Sequence, residues 1–242
     1  MYKLCSFIFL LFPILVSSQN NYQVKYKMTT FFDGVKNYDA KLKFSDYQSI
    51  FEYQIVLTDT VTIESEDSFG NVSIYIPDTK IQKIYFDFKT KKYQEVKYLK
   101  EELVVQDTLN LPNWNILDEI KNINNHQCRK ATTTFKGRNY EVWFTSDYPT
   151  KFGPWKLNGL PGLIIIAKDE NKEVFFEASE IFKTNDNIEK KINSNKTITN
   201  SEYFIIIQKK QKDIEERLKS MGDRNTKIDV KFNVKNSLEI AD

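Results

Sequence analysis

His126 and Cys128 are the side chains of this sequence best suited to nucleophilic or metal chemistry. His126 is the only histidine among 242 residues, so any Ser-His-Asp or Cys-His catalytic site must include it. In an extended segment the two side chains share a face and could begin a metal site. A closed zinc site usually requires four cysteine or histidine ligands, which this sequence does not supply. We therefore expect no bound metal and a free Cys128, buried as a small apolar side chain.

No motif in the sequence assigns catalytic residues. A GxSxG elbow, a Walker motif and a dinucleotide fingerprint are all absent. Carboxylates are numerous, but no pattern pairs two of them across a cleft. We therefore expect no catalytic residues, no cofactor and no enzymatic activity. A hydrolase that uses carboxylates or His126 is the alternative.

The stretch GPWKLNGLPGLIII, residues 153–166, concentrates turn-forming residues in a chain with only seven glycines and six prolines. Proline followed by glycine at 161–162 predicts a type II turn over residues 160–163. The apolar run 163–166 then predicts a strand buried on both faces. We expect Lys156 to be an exposed charge. The candidate residues for ligand or partner binding are Trp143, Trp155 and Lys156.

The hexapeptide Gly159-Leu160-Pro161-Gly162-Leu163-Ile164 resembles the motif that names the GLPGLI family of exported bacterial envelope proteins. In this sequence we assign Gly153 and Pro154 to the same structural motif as the hexapeptide. Other segments that resemble the family are Cys128–Thr132, Gly137-Arg138, Trp143–Thr145, Tyr148-Pro149, Gly153–Lys156 and Asn236–Ile240. The resemblance implies export and a β-rich fold. It implies no reaction, because the function of that family is unknown, and it transfers no catalytic residue.

Most of the chain alternates apolar and polar residues with a period of two, which predicts strands with one face toward a core. The predicted strands cover 24–30, 42–44, 51–57, 84–88, 93–99, 103–105 and 228–234. Two hairpins are predicted, one joining 128–135 to 140–145 and one joining 163–167 to 174–178. The expected fold is mainly β, an antiparallel meander forming a curved sheet or half-barrel. By analogy it is similar to periplasmic lipoprotein carriers.

One helix is predicted near 199–221, after a polar loop over 185–200. Thr199 and Glu202 fit a capping box, and Gly222 fits a C-terminal cap. We expect its apolar stripe to pack on the sheet. The stripe consists of Tyr203, Ile207, Ile214, Leu218 and Met221.

The first eighteen residues have the organisation of a signal peptide. Lys3 precedes an apolar run over 4–16, and Ser17-Ser18 favours cleavage before Gln19. Residues 19–242 then form a single GLPGLI-type β-rich domain with no transmembrane segment. Without residues 1–18 the chain has 34 basic and 33 acidic side chains. This balance argues against a nucleic-acid partner.

These features together predict an exported protein located in the periplasm or associated with the outer membrane, and possible secretion stays open. Its expected role is non-enzymatic binding of a partner protein, such as an outer-membrane protein, or of a hydrophobic ligand. Fold-level analogy alone cannot choose between those ligands.

Overall fold

A computed structural model describes residues 21–32, 34–57, 63–64, 73–74, 79–99, 101–188, 192, 196–221 and 238–239. The predicted signal peptide at 1–18, the predicted strand at 228–234 and the predicted cap at Gly222 lie outside these residues. The strands are β1 Asn21–Thr30, β2 Lys36–Phe44, β3 Gln48–Ile55, β4 Ile63–Glu64, β5 Ser73–Ile74, β6 Gln82–Asp87, β7 Lys92–Tyr98, β8 Glu102–Thr108, β9 Asn115–Ile123, β10 His126–Phe135, β11 Arg138–Thr145, β12 Leu163–Asp169, β13 Val174–Thr184 and β14 Thr197–Ile198. The helix is α1 Asn200–Met221.

Twelve of these strands form one open sheet, which confirms the mainly β fold. The strand order is β14-β8-β7-β6-β3-β2-β1-β13-β12-β11-β10-β9, and β4 pairs with β5 separately. All pairings within the large sheet are antiparallel except β14 with β8. The sheet is therefore two meanders, β1 to β8 and β9 to β13, joined where β1 pairs with β13.

Both predicted hairpins are confirmed. β10 pairs with β11 from Cys128 opposite Thr145 to Phe135 opposite Arg138, and β12 pairs with β13. Lys136 and Gly137 form the first turn with φ of 52° and 73°. Asparagine, glycine and lysine occupy this turn region because φ > 0 is least costly in short or polar turn residues.

Strand β9 forms one edge of the sheet and is interrupted by a bulge. Its pairing with β10 shifts between Arg129 and Ala131, which lie opposite Ile120 and Ile116. Arg129 Nε donates a 2.7 Å hydrogen bond to the Leu117 carbonyl inside the bulge. A side chain thus satisfies a backbone acceptor that the strand ladder leaves open.

The sheet curves toward the face that carries the main core. Phe51 of β3 and Phe176 of β13 are three strand positions apart, or about 14 Å in a flat sheet. Their ring centroids are nevertheless 6.3 Å apart. Side chains converge in this way only on a concave face, so the expected curved sheet is confirmed.

Helix α1 begins at the predicted capping box. The Thr199 amide donates to Glu202 Oε2 at 2.7 Å, and the Glu202 amide donates to Thr199 Oγ1 at 3.2 Å. The expected packing of its stripe on the sheet is seen near Tyr203, whose ring centroid lies 5.8 Å from Lys97 Nζ. Ile207 is partly buried and Ile214 is 45% exposed, so the sheet does not cover the stripe at Ile214. No described helix is apolar enough over a sufficient length to cross a membrane.

Candidate functional site

The segment 146–162 between β11 and β12, which we call the crossing loop, lies over the concave face of the sheet. Its side chains Phe152, Leu157 and Leu160 are at most 2% exposed. The Phe152 ring lies 4.9 Å from Phe88 and 6.4 Å from Phe44. The loop therefore reaches from β12 across to the opposite meander and fills the concavity with its own side chains.

Trp155 is part of this filling. Its side chain is 1% exposed and packs edge-on against Phe135, with the ring centroids 6.1 Å apart. Its φ of 53° is unusual for a bulky residue and is strained unless its surroundings fix it. The buried ring is unavailable to a ligand while the loop is in place.

The expectation that Lys156 is an exposed charge is wrong, because this side chain is 5% exposed. Its Nζ lies 2.8 Å from Glu95 Oε2 and forms a second ion pair with Glu239. Lys97 also pairs with Glu95. The ammonium group lies 5.0 Å from the centroid of the Tyr93 ring, and two carboxylates compensate its buried charge.

The pKa values in this cluster follow from the charges around each group. Burial favours the neutral form of Glu95, but the ammonium groups of Lys156 and Lys97 outweigh burial and lower the pKa of Glu95. Burial likewise favours neutral Lys156, but Glu95 and Glu239 outweigh it and raise the pKa of Lys156. Glu95 and Lys156 are therefore both charged at neutral pH, and neither is poised for proton transfer.

The type II turn predicted over residues 160–163 is wrong, because Gly162 does not have a positive φ. The residue of the hexapeptide with a left-handed conformation is Gly159, at φ 105°, and its amide donates a 2.7 Å hydrogen bond to the Lys151 carbonyl. A Cβ on Gly162 would lie 2.2 Å from the Thr145 carbonyl oxygen. Gly162 thus permits close approach of two backbones.

The strand that follows the hexapeptide is buried as predicted. Leu163, Ile164 and Ile165 are at most 1% exposed, and Ile166 is partly exposed. The Ile164 carbonyl accepts a 2.7 Å hydrogen bond from the Tyr26 hydroxyl of β1. The hexapeptide therefore leads into β12, an interior strand of the sheet whose first residues are buried on both faces.

Two other segments that resemble the GLPGLI family also have structural contacts. Leu238 packs against the main core and Glu239 pairs with Lys156, so the C-terminal segment reaches the crossing loop. Arg138, 3% exposed, pairs with Asp169 at 2.8 Å and with Glu173 at 2.6 Å. These contacts tie the two hairpin ends together.

His126 forms an oriented pair with Asp147. Its Nδ1 lies 2.7 Å from Asp147 Oδ2, and the Tyr148 ring lies edge-on at 5.5 Å. Such a pair supplies the base and its orienting carboxylate in a catalytic triad, but a nucleophile is also required. Cys128 does not provide one. Burial and the Asp147 charge raise the pKa of its thiol to about 11, so that it is protonated at neutral pH.

We predict slow thiol labelling of Cys128 in the folded protein, because the side chain is 0% exposed and its thiol pKa is raised. Labelling with a maleimide at pH 7 should be at least about a hundredfold slower in buffer than in denaturant, and mass spectrometry of the quenched reaction measures both rates. Equal rates would contradict the buried, protonated thiol.

Trp143 lies on the other side of the sheet, which we call the outer face. Its neighbours in sequence, Val142 and Phe144, belong to the main core, so the alternation of the strand points Trp143 away from the crossing loop. The side chain is partly exposed, and Lys130 Nζ lies 5.9 Å from its ring centroid. Of the three sequence-predicted binding candidates, only Trp143 is on an accessible surface.

A groove of about 820 Å³ lies on the outer face near the ends of the β10–β11 and β12–β13 hairpins, and Trp143 is not among the residues that line it. Glu141 lines this groove and pairs with Lys168 at 3.0 Å and with Lys130 at 3.3 Å. The other lining side chains on this face include Asn115, Thr132, Thr134, Asn139, Glu170 and Lys172. The sequence analysis missed this set, although each of its strand residues occupies an alternating polar position.

A second groove of about 500 Å³ lies over β1, β2 and β3. Glu52, one of its lining residues, pairs with Lys41 at 3.1 Å and with Lys83 at 3.3 Å. This arrangement resembles that of Glu141. The described part of the chain contains no group of three or more histidine, cysteine, aspartate or glutamate side chains that could hold a metal ion.

Comparison with known proteins relates the fold to a glycanase domain. A family model described as "N-glycanase peptide, N-terminal domain" matches residues 53–204. Solved structures of PNGF-II in two crystal forms superpose with TM-scores of 0.55 and 0.54 at 16% identity. The superpositions cover 79% of this chain but 34% and 33% of PNGF-II, so the chain spans about a third of that protein.

A solved structure of a lipoprotein-sorting domain superposes only weakly on the chain. An outer membrane lipoprotein-sorting protein domain from Vibrio parahaemolyticus superposes with a TM-score of 0.31 at 8% identity, covering 70% of this chain and 87% of that one. No curated protein matches the sequence.

Proposed function

We propose that this chain, which belongs to the family described as the N-glycanase peptide, N-terminal domain, is an exported, non-enzymatic binding domain of the cell envelope. The observation that carries the proposal is the arrangement of its two faces. The crossing loop fills the concave face, whereas the outer face presents an open polar groove near the ends of the β10–β11 and β12–β13 hairpins. Its partner therefore binds on the outer face.

The filled concavity argues against the carriage of a hydrophobic ligand. Phe152, Trp155 and Leu160 occupy the volume in which an apolar ligand would lie, and each is at most 2% exposed. Opening that volume would also require breaking the buried ion pair between Lys156 and Glu95. A pocket for a small apolar ligand is normally preformed.

The same structure supports a non-enzymatic role over a hydrolase. The cysteine two residues from His126 does not supply a nucleophile to the His126–Asp147 pair, since the Cys128 thiol is buried and protonated. The charged groups around Lys156 are fully paired. We therefore expect that neither group of residues carries the glycanase activity for which the family is named. We also propose that the chain is a GLPGLI-type protein, on the basis of its hexapeptide.

The proposal is tested by incubating the purified chain with an N-glycopeptide and following glycan release by mass spectrometry. We expect no release above the buffer control during a long incubation at an equimolar ratio, and no saturable binding of a fluorescent fatty acid. Release that is lost in His126→Ala would overturn the non-enzymatic assignment. Saturable fatty-acid binding would favour the hydrophobic carrier.

A further inference from the structure

We infer that the free edge of β9 pairs with the same edge of a second copy of this chain, so that two copies share one continuous sheet. The two edges of the large sheet differ. At one edge, β14 and α1 lie against β8. At the other, within the described residues, no strand pairs with β9 on the side away from β10. A long uncovered edge strand is a template for pairing with another chain.

Most side chains of β9 are exposed. Ile120 is 63% exposed, and the one buried residue of the strand is Ile123 at its end. Burial of an aliphatic side chain is favourable, so Ile120 favours coverage of this edge by another chain. Single exposed apolar side chains are nevertheless common in soluble proteins. The partner is therefore identified by hydrogen-bonding register and charge.

The hairpin between β9 and β10 determines which backbone groups of β9 face the free edge. Its loop has two residues, both with positive φ. The residues that flank such a loop, here Ile123 and His126, exchange backbone hydrogen bonds, and bonded pairs alternate with unbonded pairs along the ladder. Lys121 therefore bonds to β10, whereas Ile120 and Asn122 direct their N–H and C=O groups to the free edge.

Two-fold symmetry determines the register of the pairing. Two identical antiparallel strands meet symmetrically where a residue lies opposite its own copy. Ile120 directs both of its backbone groups outward, so it can exchange two hydrogen bonds with Ile120 of the second copy. The same contact covers two exposed apolar side chains. A centre at Asn122 would lie beside the turn and leave fewer residues to pair.

The bulge in β9 confines the pairing to the part of the strand near the turn. The Leu117 carbonyl, which lies in the bulge, already accepts a 2.7 Å hydrogen bond from Arg129 Nε. A second chain thus finds free backbone groups only beyond Leu117. So short a pairing predicts a weak dimer whose population depends on concentration.

The charges of β9 favour this register and this partner. With Ile120 opposite its copy, Glu119 lies opposite Lys121 of the second copy, and symmetry repeats the pair. Opposite charges directly across a strand pair stabilise it, and like charges destabilise it. Lys121 forms no ion pair within the described part of the chain, so its charge is available. Charge complementarity therefore selects a second copy of this chain.

The pairing has a consequence that rests on the proposed function. A two-fold axis perpendicular to the sheet leaves the outer faces of both copies on the same side. Two grooves on one side could bind a partner with repeated sites bivalently, which raises the overall affinity without new contacts.

The test is sedimentation equilibrium of the purified chain. We expect the weight-average mass to rise from that of one chain toward that of two between about 1 µM and 1 mM. A mass of one chain throughout that range would overturn the inference. The glycan-release test of the proposed function does not depend on dimerisation, so the failure of either is distinguishable from the failure of the other.

Charge reversal at the paired positions locates the interface. Lys121→Glu and Glu119→Lys should each raise the dimer Kd at least about tenfold, because each places like charges opposite one another twice. An equimolar mixture of the two variants should dimerise again, since every pair then joins opposite charges. The Tm of each variant should stay within about 2 °C of the parent, because exposed charges contribute little to stability.

Lys27→Glu is the matched control, because Lys27 is an exposed lysine on the interior strand β1. Its dimer Kd should equal that of the parent. Unchanged dimerisation of Lys121→Glu, or a variant mixture that stays monomeric, would refute the pairing of Glu119 with Lys121 and the interface with it.

Discussion

Lys156→Ala should lower the free energy of unfolding by about 3–5 kcal/mol, the cost of leaving a buried carboxylate without its partner. Lys156 and Glu95 are 5% and 6% exposed, and their charged atoms are 2.8 Å apart. Removing the ammonium group leaves Glu95 in the core with only Lys97 to compensate it. Urea denaturation at pH 7 measures the effect.

A double variant separates lost charge from lost packing. Lys156→Met keeps the volume of the side chain, and Glu95→Gln removes the charge that Lys156→Met would strand. The double variant should therefore be more stable than Lys156→Met alone. A change below about 1 kcal/mol for Lys156→Ala would contradict the burial of this ion pair.

The same pair gives stability a defined dependence on pH. The folded-state pKa of Glu95 lies below its ordinary value of 4.5. The contribution of Glu95 to the free energy of unfolding is therefore complete above pH 4.5 and is lost as the pH falls through the lowered pKa. The pKa of Lys156 is raised above 10.5, so its contribution is complete below that pH and is lost at higher pH. In Glu95→Gln the loss of stability below pH 4.5 should be smaller.

Gly162→Val should destabilise the protein by about 3 kcal/mol or more, at the upper end of the range for overpacked sites. A Cβ there would lie 2.2 Å from the Thr145 carbonyl oxygen and 2.8 Å from its carbon. These are backbone atoms of β11, which is paired on both sides. The strand cannot move away without breaking its ladder, so the clash persists. Thermal and urea unfolding both report the loss.

Gly34→Ala is the control for this variant, because it isolates backbone strain from steric overlap. Gly34 has a φ of 83°, and a methyl group added at its Cα would have nothing within 4 Å. The substitution should cost on the order of 1 kcal/mol, as is usual for an alanine in the left-handed region. If Gly162→Ala were no more costly than Gly34→Ala, the close approach to Thr145 would not explain the glycine.

Sequence pattern predicted the parts of the fold that depend on neighbouring residues. The period of two located most strands, and Lys136–Asn139 located a hairpin, because both arise from local geometry. Strand β9 was missed. Its isoleucines at 116, 120 and 123 do not alternate, since the bulge interrupts the strand and most of it is exposed on both faces.

The candidate site was less predictable because it depends on contacts between distant residues. A lysine in the sequence carries no sign that it will be buried, and the partners of Lys156 are 61 and 83 residues away. Gly162 was assigned to a turn on its proline neighbour, whereas its actual constraint comes from Thr145. Only Trp143 could be recognised in advance, as an aromatic residue in an alternating strand.

The position of β1 in the sheet has a consequence for the order in which the chain folds. β1 is the first described strand, yet it lies between β2 and β13, and the joining contacts span 138 residues from Tyr26 to Ile164 and 165 residues from Asn21 to Asp186. Each meander can form through local hairpins, but closing so long a chain segment is slow. One edge of β1 therefore stays unpaired until β13, which begins at Val174, is in place, and an unpaired strand edge of this kind is prone to aggregation.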